Sequence, residues 1–304
     1  MNNSSMVDSR YSAPVSQAVI IADISLLTTS FLAGTFGNGR VCILYWKNKG
    51  PPKAPQILFA NLSVIGFLSS IVCIFGWLLL VVMNYVVKFT VPVVLCFLIA
   101  PFAFALVILN AICLTLMAIS RQDCVLRPFN QRITQQNVKK VILFSWFLVL
   151  ALTLAFLFFE IFAKESVCHN FKPYDLLNKL SSSNSFILYF IATSTSFNVA
   201  ALLTIVITFL RTVRKLRSSI IPPSGSVQNR TEMLIRKFTY RVSAVFAICW
   251  LIGMIPTVLF RFGEFQFDRI KEAHALMVTV SKFMYALNPY LHQRMLNVRS
   301  TVIR

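Results

Sequence analysis

The stretch FTVPVVLCFLIAPFAFALVILNAICLTLMAIS, residues Phe89–Ser120, contains no Asp, Glu, Lys or Arg. A helix of about 20 apolar residues already crosses the hydrocarbon core of a bilayer. The rest of the chain has the same character, because 57% of its 304 residues are hydrophobic and only 13% are charged. Soluble domains average about 25% charged residues. The composition therefore predicts a membrane protein and excludes a disordered tail protein or an ordinary soluble domain.

Long apolar runs separated by charged segments predict an all-α bundle of seven membrane-spanning helices. The predicted spans are residues 18–46, 56–86, 90–122, 140–163, 184–211, 238–262 and 271–293. We expect a single domain with an outer tail at 1–17, the bundle at 18–293 and a short cytoplasmic tail at 294–304. The outer tail is polar and lacks the pattern of a cleaved signal peptide, so the first span is expected to direct its own insertion.

The basic residues predict the orientation of the bundle. Nineteen of the 29 Lys and Arg residues fall in the loops after spans one, three and five and in the tail, and eight fall on the opposite side. By the positive-inside rule the basic face is cytoplasmic and the N-terminus is outside, as in a multi-pass plasma-membrane protein. Two acids are expected on the cytoplasmic face (Asp123, Glu232) and seven at or beyond the outer face (Asp8, Glu160, Glu165, Asp175, Glu264, Asp268, Glu272). The net charge of +19 then reflects orientation and contact with anionic membrane lipid, and it requires no nucleic-acid partner.

Most of the seven cysteines lie in apolar spans, where a free Cys packs as a small hydrophobe. Cys96 and Cys168 both face the oxidising side and can form a disulfide. Asn2 and Asn3 open N-x-[ST] sequons in the outer tail and are candidate glycosylation sites. No CxxC pair occurs, so the sequence predicts no metal site.

Short motifs follow one another in a fixed order along the spans. They are Gly37-Asn38 with Val41, Asn61-Leu62-Ser63, Ser120-Arg121-Gln122, Trp146, Phe246 with Cys249-Trp250, and Asn288-Pro289. With these intervals the chain resembles the rhodopsin-like (class A) family of G-protein-coupled receptors. Cys96 precedes Arg121 by the interval at which members of the family carry the cysteine of their outer disulfide. The resemblance implies a signalling receptor rather than an enzyme, with a heterotrimeric G protein and arrestin as cytoplasmic partners.

The same resemblance implies a conformational switch. Arg121 at the inner end of span three can pair with Glu232, as in the family's inactive state, and such a pair can act as a two-state latch. The alternative is a solvated surface pair that contributes little. Asn288 and Pro289 belong to the switch in span seven, where proline removes a backbone donor and permits a kink. The positions that depart from the family motifs include Gly66, Ser120, Ile252 and His292. Because Gly66 replaces an Asp, the family's sodium site is in doubt.

Lys282 lies near the centre of the seventh predicted span, where a charged side chain costs about 2.5–3.5 kcal/mol on insertion scales. It stands six residues before Asn288, the interval at which opsins carry the lysine that binds retinal. A desolvated ε-amine loses its proton readily and condenses with an aldehyde. The resemblance to opsins therefore implies a retinal Schiff base on Lys282, with Trp250 and Ala103 also in the cofactor pocket. The alternative is a lysine that snorkels or pairs with a polar neighbour.

A protonated Schiff base needs an anion, and the positions that opsins usually use are apolar here. Many opsins carry Glu three residues after the span-three cysteine, where this chain has Ile99, and others carry an acid where it has Phe162. We favour a neutral Schiff base that absorbs in the ultraviolet, because burial disfavours an uncompensated charge. The alternative is a protonated one balanced by Glu165, Glu160 or a bound chloride.

The preferred function is a light-sensing opsin that couples retinal isomerisation to a G protein. One alternative is a class A receptor for a diffusible ligand, with Lys282 as an anion contact, and another is a retinal photoisomerase. An amine receptor is disfavoured because Ala103 stands where amine receptors carry Asp. A channel or transporter is the least favoured reading, since no inverted repeat or string of intramembrane charges occurs.

Overall fold

The computed structural model describes residues 15–47, 52, 54–89, 93–127, 130–162, 185–218, 241, 244–245, 247–252, 272–273 and 276–290. All regular secondary structure in these residues is helical. The helices are α1 Gln17–Lys47, α2 Ala54–Val86, α3 Val93–Leu126, α4 Val138–Phe162 and α5 Ser185–Ser218, followed by α6 at 247–252 and α7 at 276–290. The prediction of an all-α, multi-span membrane protein is confirmed.

Five of these helices are long and apolar enough to cross a membrane. Their bounds agree with the predicted spans to within a few residues, except that α5 continues past the predicted end at 211 to Ser218. The extension is rich in Arg and Lys, which are good helix formers, so the helix persists into the basic segment beyond the apolar run.

α3 lies at the centre of the bundle and packs against α2, α4 and α5. It is more deeply buried than α1, α4 or α5. Large apolar side chains lie on the outer surface as well as in the interior. Those on the surface include Phe144, Phe147 and Phe158 of α4. An apolar surface of this extent is what a lipid-facing helix requires.

Two short π-helical segments interrupt α2, at Ser70–Ile74 and Val82–Val86. The second ends with a wide turn in which the backbone N of Val87 donates to the carbonyl of Val82 at 3.0 Å. Each segment changes the direction in which the following side chains point, and such segments occur often at functional sites. Trp77 lies between the two, in the α-helical stretch Phe75–Val81.

α1 and α7 run side by side in the same direction. The backbone N of Ser16 donates to Glu272 Oε1 at 2.7 Å, and seven residues further along both segments Thr279 Oγ1 donates to Asp23 Oδ1. Equal steps in the same sense occur only when the two segments are parallel.

The seam between α1 and α7 is tight towards its other end. A Cβ added at Gly37 would lie 2.6 Å from Pro289 Cγ, so only glycine allows this approach. Asn38 Nδ2 donates to the backbone carbonyl of Tyr285 at 2.9 Å. Small residues commonly allow membrane helices to pack this closely. The helix that carries Lys282 is therefore fixed against α1.

Candidate functional site

Lys282 on α7 reaches across to α2. Its Nζ lies 3.9 Å from the centroid of the Trp77 ring, a cation–π geometry worth about 2 kcal/mol when the site is desolvated. The nitrogen is buried and has no hydrogen-bond partner among the described residues. The amine is thus held in place by an aromatic face that leaves its hydrogen-bonding capacity unused.

An acidic residue from α1 belongs to the same site. Asp23 is 0% exposed and accepts a hydrogen bond from Thr279 Oγ1. Thr279 and Lys282 are three residues apart on α7 and therefore share one helix face. The Asp23 carboxylate lies close enough to Lys282 for the two charges to interact. The site consequently contains two buried ionisable groups, the Lys282 amine and the Asp23 carboxyl group.

Asp23 is not among the counterions that the sequence predicts. The signal that identifies it is the same one that singles out Lys282, because an ionisable side chain within a membrane span is a functional-site hypothesis by default. Glu165 and the side chain of Glu160 lie outside the described residues and stay predictions.

α2 supplies a second group near Lys282, and α3 packs on α2 next to Trp77. Cys73, one turn before Trp77, is also within electrostatic range of Lys282. A Cβ added at Gly76 would lie 3.0 Å from Ile99 Cδ1, so the Ile99 side chain packs directly onto α2. The position at which many opsins carry a carboxylate is therefore filled by an apolar contact.

The other predicted pocket residues lie on two further helices. Ala103 is partly buried on α3 against the core, and Trp250 is half-buried on α6 beside the buried Cys249. Cys96 on α3 is disulfide-bonded. Its predicted partner Cys168 lies outside the described residues, so that pairing stays a prediction.

At the inner end of α3 the structure shows an ion pair that the sequence does not suggest. Asp123 is 1% exposed and accepts from Arg132 Nη2 at 2.8 Å, from Arg132 Nε at 3.0 Å and from the Arg132 backbone N at 2.9 Å. These hydrogen bonds raise the pKa of the Arg132 guanidinium, which lies in the loop outside the membrane. Arg121 lies two residues earlier on α3, whereas Glu232, its predicted partner, lies outside the described residues.

The predicted switch residues of α7 are buried against α1. Asn288 is buried, and Pro289 packs on Gly37. The space near Gly66 is filled by Asn38, because a Cβ at Gly66 would lie 2.7 Å from Asn38 Oδ1. An aspartate at this position would require Asn38 to move, which agrees with the expectation that the family's usual sodium site is altered.

One further family motif is recognisable in the packing of α2, α3 and α4. Trp146 Nε1 donates to Asn61 Oδ1 at 3.0 Å, and Asn61 Nδ2 donates to Cys113 Sγ at 3.5 Å.

Asn2 and Asn3, the predicted glycosylation sites, lie outside the described residues.

Comparisons with known proteins agree with this arrangement. The family model of the 7 transmembrane receptor (rhodopsin family) matches residues 37–292. The crystal structure of squid rhodopsin is similar, with a TM-score of 0.74 and 18% sequence identity over 93% of this chain and 79% of that chain. At this identity the likeness shows the fold alone. A search of curated proteins finds no match. Because the family model covers most of the chain, the protein belongs to the rhodopsin family of seven-transmembrane receptors, which are signalling receptors of the cell membrane rather than enzymes.

Proposed function

We propose that this receptor is an opsin that binds retinal covalently through Lys282 and activates a G protein in response to light. The observation that carries the proposal is the Lys282 amine, which is buried, lies over the Trp77 ring and makes no hydrogen bond within the described residues. Lys282 Nζ would hold retinal by condensing with its aldehyde and releasing one water, and the bound group would supply the absorption of light. A lysine is required because a guanidinium does not undergo this condensation.

The residues around Lys282 suit such a linkage. A nitrogen that donates to no acceptor is free to react, and an apolar, aromatic setting keeps water from the bond that forms. Trp77 lies on one side of the nitrogen, and the Ile99 side chain packs on Gly76, the residue before Trp77. These contacts support a dry site of fixed geometry near the middle of the bundle.

The position of Lys282 on α7 supports a route from the site to the cytoplasmic face. Lys282 precedes the buried Asn288 and Pro289 on the same helix, and α7 is held against α1 at Gly37. A force applied at Lys282 would act on a helix whose inner part contains a proline, where a kink is tolerated. We expect the G protein to bind the basic inner face, which includes Arg121, with arrestin as a second partner of that face.

The test is reconstitution of the purified receptor with the cis and all-trans isomers of retinal. Wild type is expected to give a light-sensitive absorption band and light-dependent nucleotide exchange on at least one G protein. Lys282→Ala and Lys282→Arg are expected to give neither. Lys88→Ala, which removes an exposed lysine at the outer end of α2, controls for condensation at surface amines. A wild-type receptor without a lysine-dependent band would refute the proposal.

A receptor for a diffusible, anionic ligand is the second candidate, and one observation favours it. A buried ammonium with unused hydrogen-bonding capacity is also a site for a carboxylate or phosphate group. The Lys282→Arg variant separates the two candidates, because arginine retains the positive charge. An anion receptor would keep much of its ligand response in this variant, whereas an opsin would lose its chromophore completely.

A further inference from the structure

We infer that Asp23 on α1 is the anion that balances positive charge on the Lys282 nitrogen, both in the free receptor and when Lys282 carries retinal. The second part rests on the proposed function. The counterion is then on the first helix, and it is none of Glu165, Glu160 and a bound chloride, the candidates that the sequence predicts.

Asp23 is buried in the membrane-spanning part of α1. Its side chain is 0% exposed within a membrane span, and a carboxylate without compensation in such a place costs several kcal/mol. A carboxylate persists there when hydrogen-bond donors and a cation surround it. Thr279 Oγ1 supplies a donor, and Lys282 supplies a cation within electrostatic range.

α7 holds the Asp23 carboxylate in position. The hydroxyl that binds Asp23 belongs to Thr279, one helical turn before Lys282. The carboxylate and the nitrogen are therefore both positioned by α7, and the parallel packing of α1 on α7 fixes the distance between them. A movement of α7 relative to α1 would change the distance between the charges.

Other groups also face Lys282. Two titratable side chains among the described residues act on it electrostatically, Asp23 from α1 and Cys73 from α2. An ordinary thiol is neutral at physiological pH, so Asp23 is the anion of this pair. From α2 the nitrogen also faces the Trp77 ring, which favours a cation but neutralises no charge.

A consequence follows for the colour of the chromophore. The sequence alone favours a neutral nitrogen and ultraviolet absorption, because no anion is expected nearby. A carboxylate beside the nitrogen stabilises the protonated form instead. The receptor loaded with retinal is therefore expected to absorb visible light at neutral pH.

The first experiment measures absorption spectra of the retinal-loaded receptor across pH. Wild type is expected to show a visible band, and Asp23→Asn is expected to lose this band at a pH lower by roughly 1 to 3 units. Asp23→Glu, which keeps the charge, should retain it, and Asp123→Asn is the matched control for loss of a buried carboxylate elsewhere. A wild-type receptor that absorbs only in the ultraviolet, or an Asp23→Asn variant with the wild-type titration, would overturn the inference.

The second experiment uses the receptor without retinal, so that it stands even if no chromophore forms. Melting temperatures are measured for wild type, Asp23→Asn, Lys282→Met and the double variant. Each single change leaves the other charge uncompensated, so the double variant should melt at a higher temperature than the sum of the two single losses predicts. Additive losses would overturn the inference.

Should Asp23→Asn fail to fold, Thr279→Val offers a milder change, because it removes only the hydroxyl that positions the carboxylate. A shift of the visible band in this variant is expected, and an unchanged spectrum would count against Asp23. Absence of any Lys282 adduct in wild type would end the proposed function and leave the melting experiment to decide on the charge pair.

Discussion

Asp23 and Asp123 are both almost fully buried, but they bind their partners in different ways. Asp123 accepts three short hydrogen bonds from Arg132, nine residues away, and the Arg132 side chain is 50% exposed. Asp23 accepts from Thr279, 256 residues away, and the nearby Lys282 nitrogen is buried and makes no hydrogen bond within the described residues. The inner pair uses the hydrogen-bonding capacity of its cation, whereas the intramembrane site leaves the nitrogen available.

This difference separates a structural contact from a reactive one. At the inner pair, the Arg132 guanidinium and backbone N both bind Asp123 and so fix the loop, while the guanidinium remains partly hydrated. A lysine held by an aromatic ring and by a carboxylate at some distance keeps a nitrogen that can react. Comparison of the two regions therefore predicts that changes at the inner pair alter stability alone, while changes at the intramembrane site also alter the chromophore.

The largest expected effect is complete loss of the retinal adduct in Lys282→Ala, because Lys282 supplies the only amine that the described residues place at the site. Asp123→Ala should form the adduct to the wild-type extent in receptor that has been purified as folded protein. Difference absorption spectra before and after illumination provide the measurement. An Asp123→Ala variant that folds but binds no retinal would break the separation between the two regions.

The next effect is an asymmetry at the inner pair. Arg132→Ala leaves a buried carboxylate without its cation and is expected to cost about 3–5 kcal/mol. Asp123→Ala leaves an arginine that can be hydrated, so its cost should be smaller, about 1–3 kcal/mol. Thermal unfolding of the two variants in one detergent measures the order. Equal losses would show that the burial of Asp123 does not control the energetics.

A smaller effect is expected for Thr279→Val, which removes the hydroxyl donor to Asp23. A hydrogen bond to a charged group contributes about 1.5–3 kcal/mol, and the variant should lose stability in that range. Thr279→Ser keeps the hydroxyl and should stay within about 1 kcal/mol of wild type. If valine and serine behave alike in thermal unfolding, the contact between α1 and α7 does not hold Asp23 in place.

The smallest effect concerns the loop that presents Arg132. Asn137 Nδ2 donates to the Arg132 carbonyl at 2.7 Å, and Asn137 Oδ1 accepts from the Thr134 backbone N at 2.7 Å. Asn137→Ala removes this cap at the start of α4 and should cost about 0.5–2 kcal/mol. Chromophore binding should be unaffected. Limited proteolysis within residues 130–137 should be faster in the variant, and an unchanged rate would contradict the role of Asn137.

The sequence predicts the number, type and approximate bounds of the helices because uncharged runs of sufficient length have one stable form in a membrane. It does not predict the π segments of α2, since a span that is apolar on every face gives no sign of a shift in helical register. Lys282 is found from its depth and its interval to Asn288. Asp23 is harder to assign, because its partner Thr279 lies 256 residues away and the two meet only when α1 and α7 pack in parallel. The same limit applies to Asp123 and Arg132, whose contact depends on the path of a loop.

The central claim is that Lys282 carries the chromophore, and chemical reduction of the linkage tests it most directly. Retinal-loaded receptor is treated with borohydride, which converts the linkage to a stable amine, and the digested peptides are analysed by mass spectrometry. We predict a retinyl group on the peptide that contains Lys282, and its absence from the same peptide of Lys282→Arg. Retinyl groups found only on exposed lysines such as Lys88, or on no lysine, would contradict the account.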